Sequence, residues 1–199
     1  MPVPHSDHEQ MIHQIIIEWI TADCWMMEIL RNVRDLGLPD SWVCAGFVRS
    51  KIWDQLHQIE PRTPLADIDV VYYDASDLDE KTEKVWEQQL CRIQPQLPWS
   101  VKNEARMHIA NRIAPYHSTV DAISCFPETA TALGIRLDEQ DQLILVAPCG
   151  LRDVFEMKIR VNPRFLQSRG DIHIYQQRIQ QKNWQQIWNR LTIIDSPTL

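Results

Sequence analysis

An α+β fold, with helices packed on a mixed sheet, is predicted by three features of the sequence. Apolar residues recur at helical spacing over 11–20 and 23–36. Short apolar runs at 42–45 and 68–73, bounded by turn residues, read instead as strands. The 199 residues are 44% hydrophobic with eight Trp and only five Gly, enough to bury one core, and no internal repeat or linker divides them.

The chain opens with Ser6 and Glu9 three residues apart, a capping box ahead of a first helix carrying MIHQIIIEWI. Met26, Ile29, Leu30, Val33 and Leu36 give a second helix over 23–36, stopped by Gly37. A turn at 37–40 leads into a strand at 42–45, Gly46 permits close backbone approach, and 47–57 reads as a helix. After the strand that holds Asp67 and Asp69, Asp77 and Glu80 cap a helix ending near Arg92. Pro95 and Pro98 then precede WSVKNEARMH, which alternates as a strand and puts Lys102, Glu104, Arg106 and His108 on one face. Tyr116 and His117 lie on a loop before a helix start at Ser118, with Asp121 at the capping-box position. Residues 129–137 and 142–147 form a hairpin around DEQD, FEMKIRVN supplies a further strand, and a Gln-rich helix over 175–191 docks through Ile179, Trp184, Ile187, Trp188 and Leu191.

The stretch that carries chemistry is 44–73. Asp67 and Asp69, two apart on a strand, project to one face while Ile68 and Val70 turn toward packing. Two like charges so close are best tolerated in water or around a divalent cation, and Mg²⁺ favours one or two carboxylates plus substrate phosphate oxygens. Upstream, a helix N-terminus after Gly46 offers free amides to a phosphate, with Arg49, Ser50 and Lys51 in its first turns. The alternative is structural, with Asp67 capping the turn after Pro64, Asp69 solvated, and the basic residues forming an exposed turn. Lys158 and Arg160 share a strand face that would complement a triphosphate or simply edge a sheet.

These residues resemble the polymerase-beta-type nucleotidyltransferase superfamily, whose signature is a glycine-containing turn and helix followed by Asp, apolar, Asp on the next strand. More narrowly, the chain is similar to a bacterial group of small nucleotidyltransferase family proteins of uncharacterised function. The matching stretches are AGFVRSKIWDQL, DIDVVYYD, WSVKNEARMH, PYHSTVDAIS, FPETATALGIRL, APCGLRDVFEMKIRVNP and KNWQQIW, which cover most of the chain. It departs in having Phe47 after Gly46, where Gly or Ser is usual, and a longer gap from Gly46 to Asp67. The resemblance implies a nucleotidyltransferase-like mixed sheet in a single domain. Its catalytic core would span about 38–165, with an N-terminal helical pair at 6–37 and a C-terminal helix at about 175–191. It implies transfer of a nucleoside monophosphate from an NTP to an acceptor hydroxyl, with Mg²⁺ or Mn²⁺ held by Asp67 and Asp69. Gly46, Arg49, Ser50 and Lys51 would meet the nucleotide. Glu104 would be the third carboxylate, with Asp121 as its substitute. A competing expectation is a nucleotide-binding or interaction module that keeps the fold without turnover.

A net charge of −7 gives no broad attraction to nucleic acid or an anionic membrane, so an extended nucleic-acid partner is disfavoured, as is an RNA-binding domain that merely shares the fold. Five scattered cysteines form no CxxC pair, signalling neither zinc nor a disulfide framework. With no signal-like segment and no apolar run of the ~20 residues a bilayer requires, a reduced, cytoplasmic setting without a membrane partner is expected.

Overall fold

The computed structural model describes residues 7–169 and 172–194. Two helices, α1 (Asp7–Thr21) and α2 (Cys24–Asp35), come first. Ile12, Ile16 and Ile20 lie on one stripe of α1 and are wholly buried, each contributing roughly 1.5–3 kcal/mol. Ser6 of the expected capping box lies outside the described residues, and Glu9 accepts from the Leu151 backbone N–H at 2.6 Å. Asp23 caps α2 by accepting from the Met26 amide, and Gly37, at φ 68°, lets the chain leave it.

Next come β1 (Trp42–Cys44), α3 (Gly46–His57), β2 (Ile68–Tyr72), α4 (Glu80–Ile93) and β3 (Trp99–Asn103). Helix α5 (Glu104–Asn111), helix α6 (Thr119–Ile123) and the strands β4 (Gly134–Leu137) and β5 (Leu143–Val146) follow. The five strands form one mixed sheet in the order β3-β2-β1-β4-β5. Strand β1 is antiparallel to β2 and β4, β4 to β5, while β2 and β3 run parallel across the α4 crossover. One face of the sheet carries Val43, Ile68, Val70, Tyr72, Val101 and Ile135 into the main core with α1, α2 and α3. The other face carries a smaller cluster of Trp42, Cys44, Ala45 and Val71 under Ile123 of α6. Asp69, opposite Cys44 in the ladder, belongs to this lightly covered face.

The chain then builds α7 (Arg152–Phe155), β6 (Lys158–Arg160), α8 (Pro163–Arg169), α9 (Ile172–Lys182), a 3₁₀ turn (Trp184–Gln186) and β7 (Thr192–Ile194), which pairs parallel with β6. Trp53 of α3 donates to the Val154 carbonyl at 2.9 Å and meets Trp184 and Trp188 edge-on at 5.6 and 5.1 Å, fastening this C-terminal segment to the sheet domain.

Three sequence expectations change. The strand expected through WSVKNEARMH ends at Asn103, because the Asn103 side chain accepts from the Ala105 amide and starts α5. The alternation that placed Lys102, Glu104, Arg106 and His108 together is thereby broken. The C-terminal helix stops at Lys182, since Asn183 adopts φ 42°. Helix α4 is capped by Asp79, while Asp77 accepts from the Asp79 amide and the Thr82 hydroxyl.

Candidate functional site

The site forms where α3 begins and β2 begins. Ala45 joins β1 to α3 at φ 51°, ψ −114°, a conformation that alanine seldom adopts, and its N–H is held by the Leu133 carbonyl at 3.0 Å. Gly46 then opens the helix. A Cβ placed on it would stand 3.6 Å from Arg49 Nη2, so the Arg49 guanidinium folds back over the glycine. Phe47, where the superfamily has a small residue, is buried and packs 6.0 Å from Trp25. The bulky side chain therefore points into the core and leaves the Gly46 face open. The extra residues between α3 and β2 are anchored by Thr63, whose N–H and hydroxyl donate to Asp54 at 2.8 and 2.7 Å.

Arg49 is only 8% exposed. Its guanidinium lies 4.3 Å from the Trp184 ring centre, 5.0 Å from Trp53 and 5.8 Å from Trp188. One nitrogen reaches Ser50 Oγ at 3.2 Å, whereas Nε has no partner among the described residues. Burial lowers its pKa to about 10, with the charges of Glu128, Asp67 and Asp69 acting the other way, so it stays charged at neutral pH. Cation–π contacts give back roughly 0.5–2 kcal/mol each. Burying a charge costs several kcal/mol after relaxation, so a cation whose Nε has no partner among the described residues would still gain from meeting an anion.

Asp67 immediately precedes β2 and Asp69 lies within it. Ser100, opposite Asp69 on the parallel neighbour β3, favours that aspartate's ionised form. Burial, then repulsion from Asp67, raises its pKa to about 6. Glu104, the first residue of α5 and 6% exposed, is raised to about 8 by burial and by Asp69. Neighbouring cations are committed elsewhere: Lys102 and Arg106 pair with Glu83 at 3.5 and 2.9 Å, and Arg178 with Glu128 at 2.8 Å. An all-oxygen set in which the carboxyls of Asp69 and Glu104 are both held above their ordinary range would suit a hard divalent cation such as Mg²⁺ or Mn²⁺. Among the described residues, no three His, Cys, Asp or Glu side chains form a group able to hold an ion. The carboxylates of Asp67 and Asp69 would be the protein's share of such a site, with the other positions open to substrate oxygens and water.

The expected nucleotide-binding residues separate. Gly46, Arg49 and Ser50 stay together, but Lys51 projects toward α2, where its ammonium pairs with Asp23 at 3.0 Å beside Arg62. Asp121 accepts from the His117 amide and pairs with Arg164 at 3.1 Å. Lys158 and Arg160 are paired with Glu156 and Asp153, which neutralises the basic strand face. The C-terminal helix was expected, but sequence reasoning missed that Arg178 and Lys182 of α9 act on Asp69, lowering its pKa against the larger effects of burial and Asp67. The readable signal was their spacing of four, which puts both cations on one helix face. It also missed Glu128, fully buried, which accepts from the Thr131 hydroxyl at 2.7 Å as well as from Arg178.

Residues 31–193 match the sequence profile of a nucleotidyltransferase family. Among solved structures, an NMR structure described as revealing a CCA-adding enzyme head domain is 38% identical, with a TM-score of 0.83 over 92% of this chain and 96% of that one. A CCA-adding enzyme in complex with CTP is 18% identical, with a TM-score of 0.58 over 92% of this chain and 43% of that one. The Thermotoga maritima CCA-adding enzyme complexed with tRNA is also 18% identical, with a TM-score of 0.56 over 93% and 42%. The chain thus spans less than half of each of these two enzymes and shares their fold. No curated protein matches it.

Proposed function

The chain belongs to the nucleotidyltransferase family, and we propose that it moves the nucleoside monophosphate of an NTP onto an acceptor hydroxyl. The observation that carries this reading is the carboxylate pair Asp67 and Asp69 at the start of β2, beside a buried arginine with unused donors at the start of α3. Asp67 and Asp69 would hold Mg²⁺ or Mn²⁺, which supplies charge neutralisation at the triphosphate. Arg49 and the first amides of α3, opened by Gly46, bind phosphate oxygens, and Ser50 orients Arg49. The acceptor oxygen forms a bond to the α-phosphorus as the bond to the bridging α,β-oxygen breaks. Pyrophosphate leaves, and Glu104 receives the hydroxyl proton at a carboxylate oxygen in its ionised form, which is populated as pH rises toward 8. Residues 38–165 would form the catalytic core of a single domain that also uses the C-terminal helix. The five thiols are free and suit a reducing compartment such as the cytoplasm. No helix among the described residues is long and apolar enough to cross a membrane.

The test is pyrophosphate release from labelled NTPs with Mg²⁺ or Mn²⁺, starting from CTP and ATP because related complexes contain them. Small hydroxyl compounds and RNA serve as acceptors. Release by wild type that is lost in Asp67→Asn/Asp69→Asn supports the reading. Metal-dependent nucleotide binding without release supports a binding module instead.

A further inference from the structure

We propose that Trp184 is a positioning residue for the nucleotide's phosphates, acting through Arg49 from the C-terminal segment. The inference rests on the assignment of Arg49 to the triphosphate and extends it to a part of the chain outside the 38–165 core. Three indoles surround the guanidinium, and the Trp184 ring is the closest of them at 4.3 Å. The other two are locked from below: Trp53 donates to the Val154 carbonyl at 2.9 Å, and Trp188 donates to Asp54 at 2.8 Å, the same carboxylate that anchors Thr63. Trp184 completes the box because α9 stops at Lys182 and Asn183 adopts a left-handed conformation, turning the chain so that the following 3₁₀ turn delivers its indole.

The box has an uncommon composition. A buried arginine is ordinarily stabilised by a carboxylate within hydrogen-bond reach, yet no acidic group among the described residues forms an ion pair with Arg49. Aromatic faces hold the cation flat and exclude water without consuming its N–H donors. The Ser50 hydroxyl uses one of these donors, and Nε stands unpartnered. The planar fork is therefore pre-aimed and kept free for an incoming oxyanion, and less ordering remains to be done when phosphate arrives. A carboxylate in place of Trp184 would neutralise the arginine and compete with the substrate. An aliphatic residue there would leave the guanidinium able to swing and hydrate.

Inorganic tripolyphosphate with Mg²⁺ is the probe, read by isothermal titration calorimetry on the full chain, so the outcome does not depend on turnover. Trp184→Leu should bind about tenfold more weakly, the affinity equivalent of one desolvated cation–π contact, and Trp184→Phe within about threefold of wild type. Arg49→Met should lose at least as much, and adding Trp184→Leu to it should cause no further loss, since Trp184 acts through Arg49. Melting temperatures accompany each variant. If Trp184→Leu does not fold, Trp184→Met carries the same expectation. Wild-type affinity in the folded Leu or Met variant would overturn the proposal, as would losses that multiply in the double variant or wild-type protein that does not bind tripolyphosphate. If tripolyphosphate binds as described while no NTP is turned over, the transfer reading fails and the role of Trp184 stands.

Discussion

Cys44 stands directly opposite Asp69 across the β1–β2 ladder, so a fully buried thiol shares a sheet face with the acidic site. Burial, then the charges of Asp69, Glu104 and Asp67, push this thiol well above its ordinary value. Since the thiolate is the reactive form, Cys44 should resist modification in the native protein. Exposed Cys24 should react first with an aromatic disulfide reagent, followed by the partly covered Cys91, Cys125 and Cys149. Peptide mass spectrometry should find Cys44 labelled only after unfolding in guanidinium. Prompt labelling of Cys44 under native conditions would contradict the packing of β1 against β2.

The carboxyl of Glu104 gives a pH signature. Its folded pKa is raised from 4.5 to about 8, first by burial and then by Asp69. The folded state therefore binds the proton more tightly than the unfolded chain, so the group opposes folding once it must ionise. Below about pH 4.5 both states are protonated and there is no penalty. Stability is lost as pH rises from there toward 8, and the penalty is complete above it. In EDTA, the urea midpoint of wild type should fall across this window. Glu104→Gln, which cannot ionise, should show a flatter profile and be the more stable protein at pH 8. An unchanged slope in the Gln variant would mean that Glu104 is not the group responsible.

Ala45 stores strain at the mouth of the site. A non-glycine residue at φ 51°, ψ −114° costs about 1–3 kcal/mol, while glycine there adds unfolded-state entropy worth roughly 0.5–1 kcal/mol. Ala45→Gly should therefore stabilise the protein by about 1 kcal/mol, read as a higher urea midpoint at unchanged slope. Ala45→Val, β-branched at the same positive φ, should move the midpoint downward. A destabilised Gly variant would show that the junction is not strained.

Much of this architecture was legible because local signals agreed with the tertiary fold. The stripe in α2, the glycine at its end, the hairpin of β4 and β5 and the Asp67, Asp69 alternation each rest on periodicity or turn chemistry alone. Two kinds of feature were not legible. At Asn103 the period changes within one residue, and a polar side chain that looked like an alternating strand position was a helix cap. The surroundings of Arg49 were hidden for a different reason. Trp184 and Trp188 lie more than 130 residues away in sequence, and their apolar spacing looks the same whether they cover a core or a guanidinium. Lys51 and Arg49 likewise look equivalent as basic residues early in a helix. Only the helical angle between them sends one to Asp23 and the other to the Gly46 face.

Asn103 determines where Glu104 sits, and this yields the sharpest test of the site's scaffold. Its Oδ1 accepts from the Asp74 and Ala105 amides at 3.0 and 3.1 Å, and its Nδ2 donates to the Asp74 and Asp77 carbonyls at 2.8 and 2.7 Å. Its own amide donates to buried Glu83, which also takes the Arg106 guanidinium. The loop after β2, the end of β3 and the first turn of α5 are thus joined through one side chain that is 1% exposed. Asn103→Ala removes the cap, about 1 kcal/mol, and strands several buried polar groups at about 1 kcal/mol each, for a total near 3 kcal/mol in urea unfolding. Asn103→Asp keeps the cap acceptor but loses both donors and adds a negative charge between Glu83 and Glu104. It should therefore destabilise the protein as well, and more at pH 8 than at pH 5. If Asn103→Ala were as stable as wild type, β3 would not depend on this residue to hand the chain to α5, and another feature would have to fix Glu104 beside Asp69.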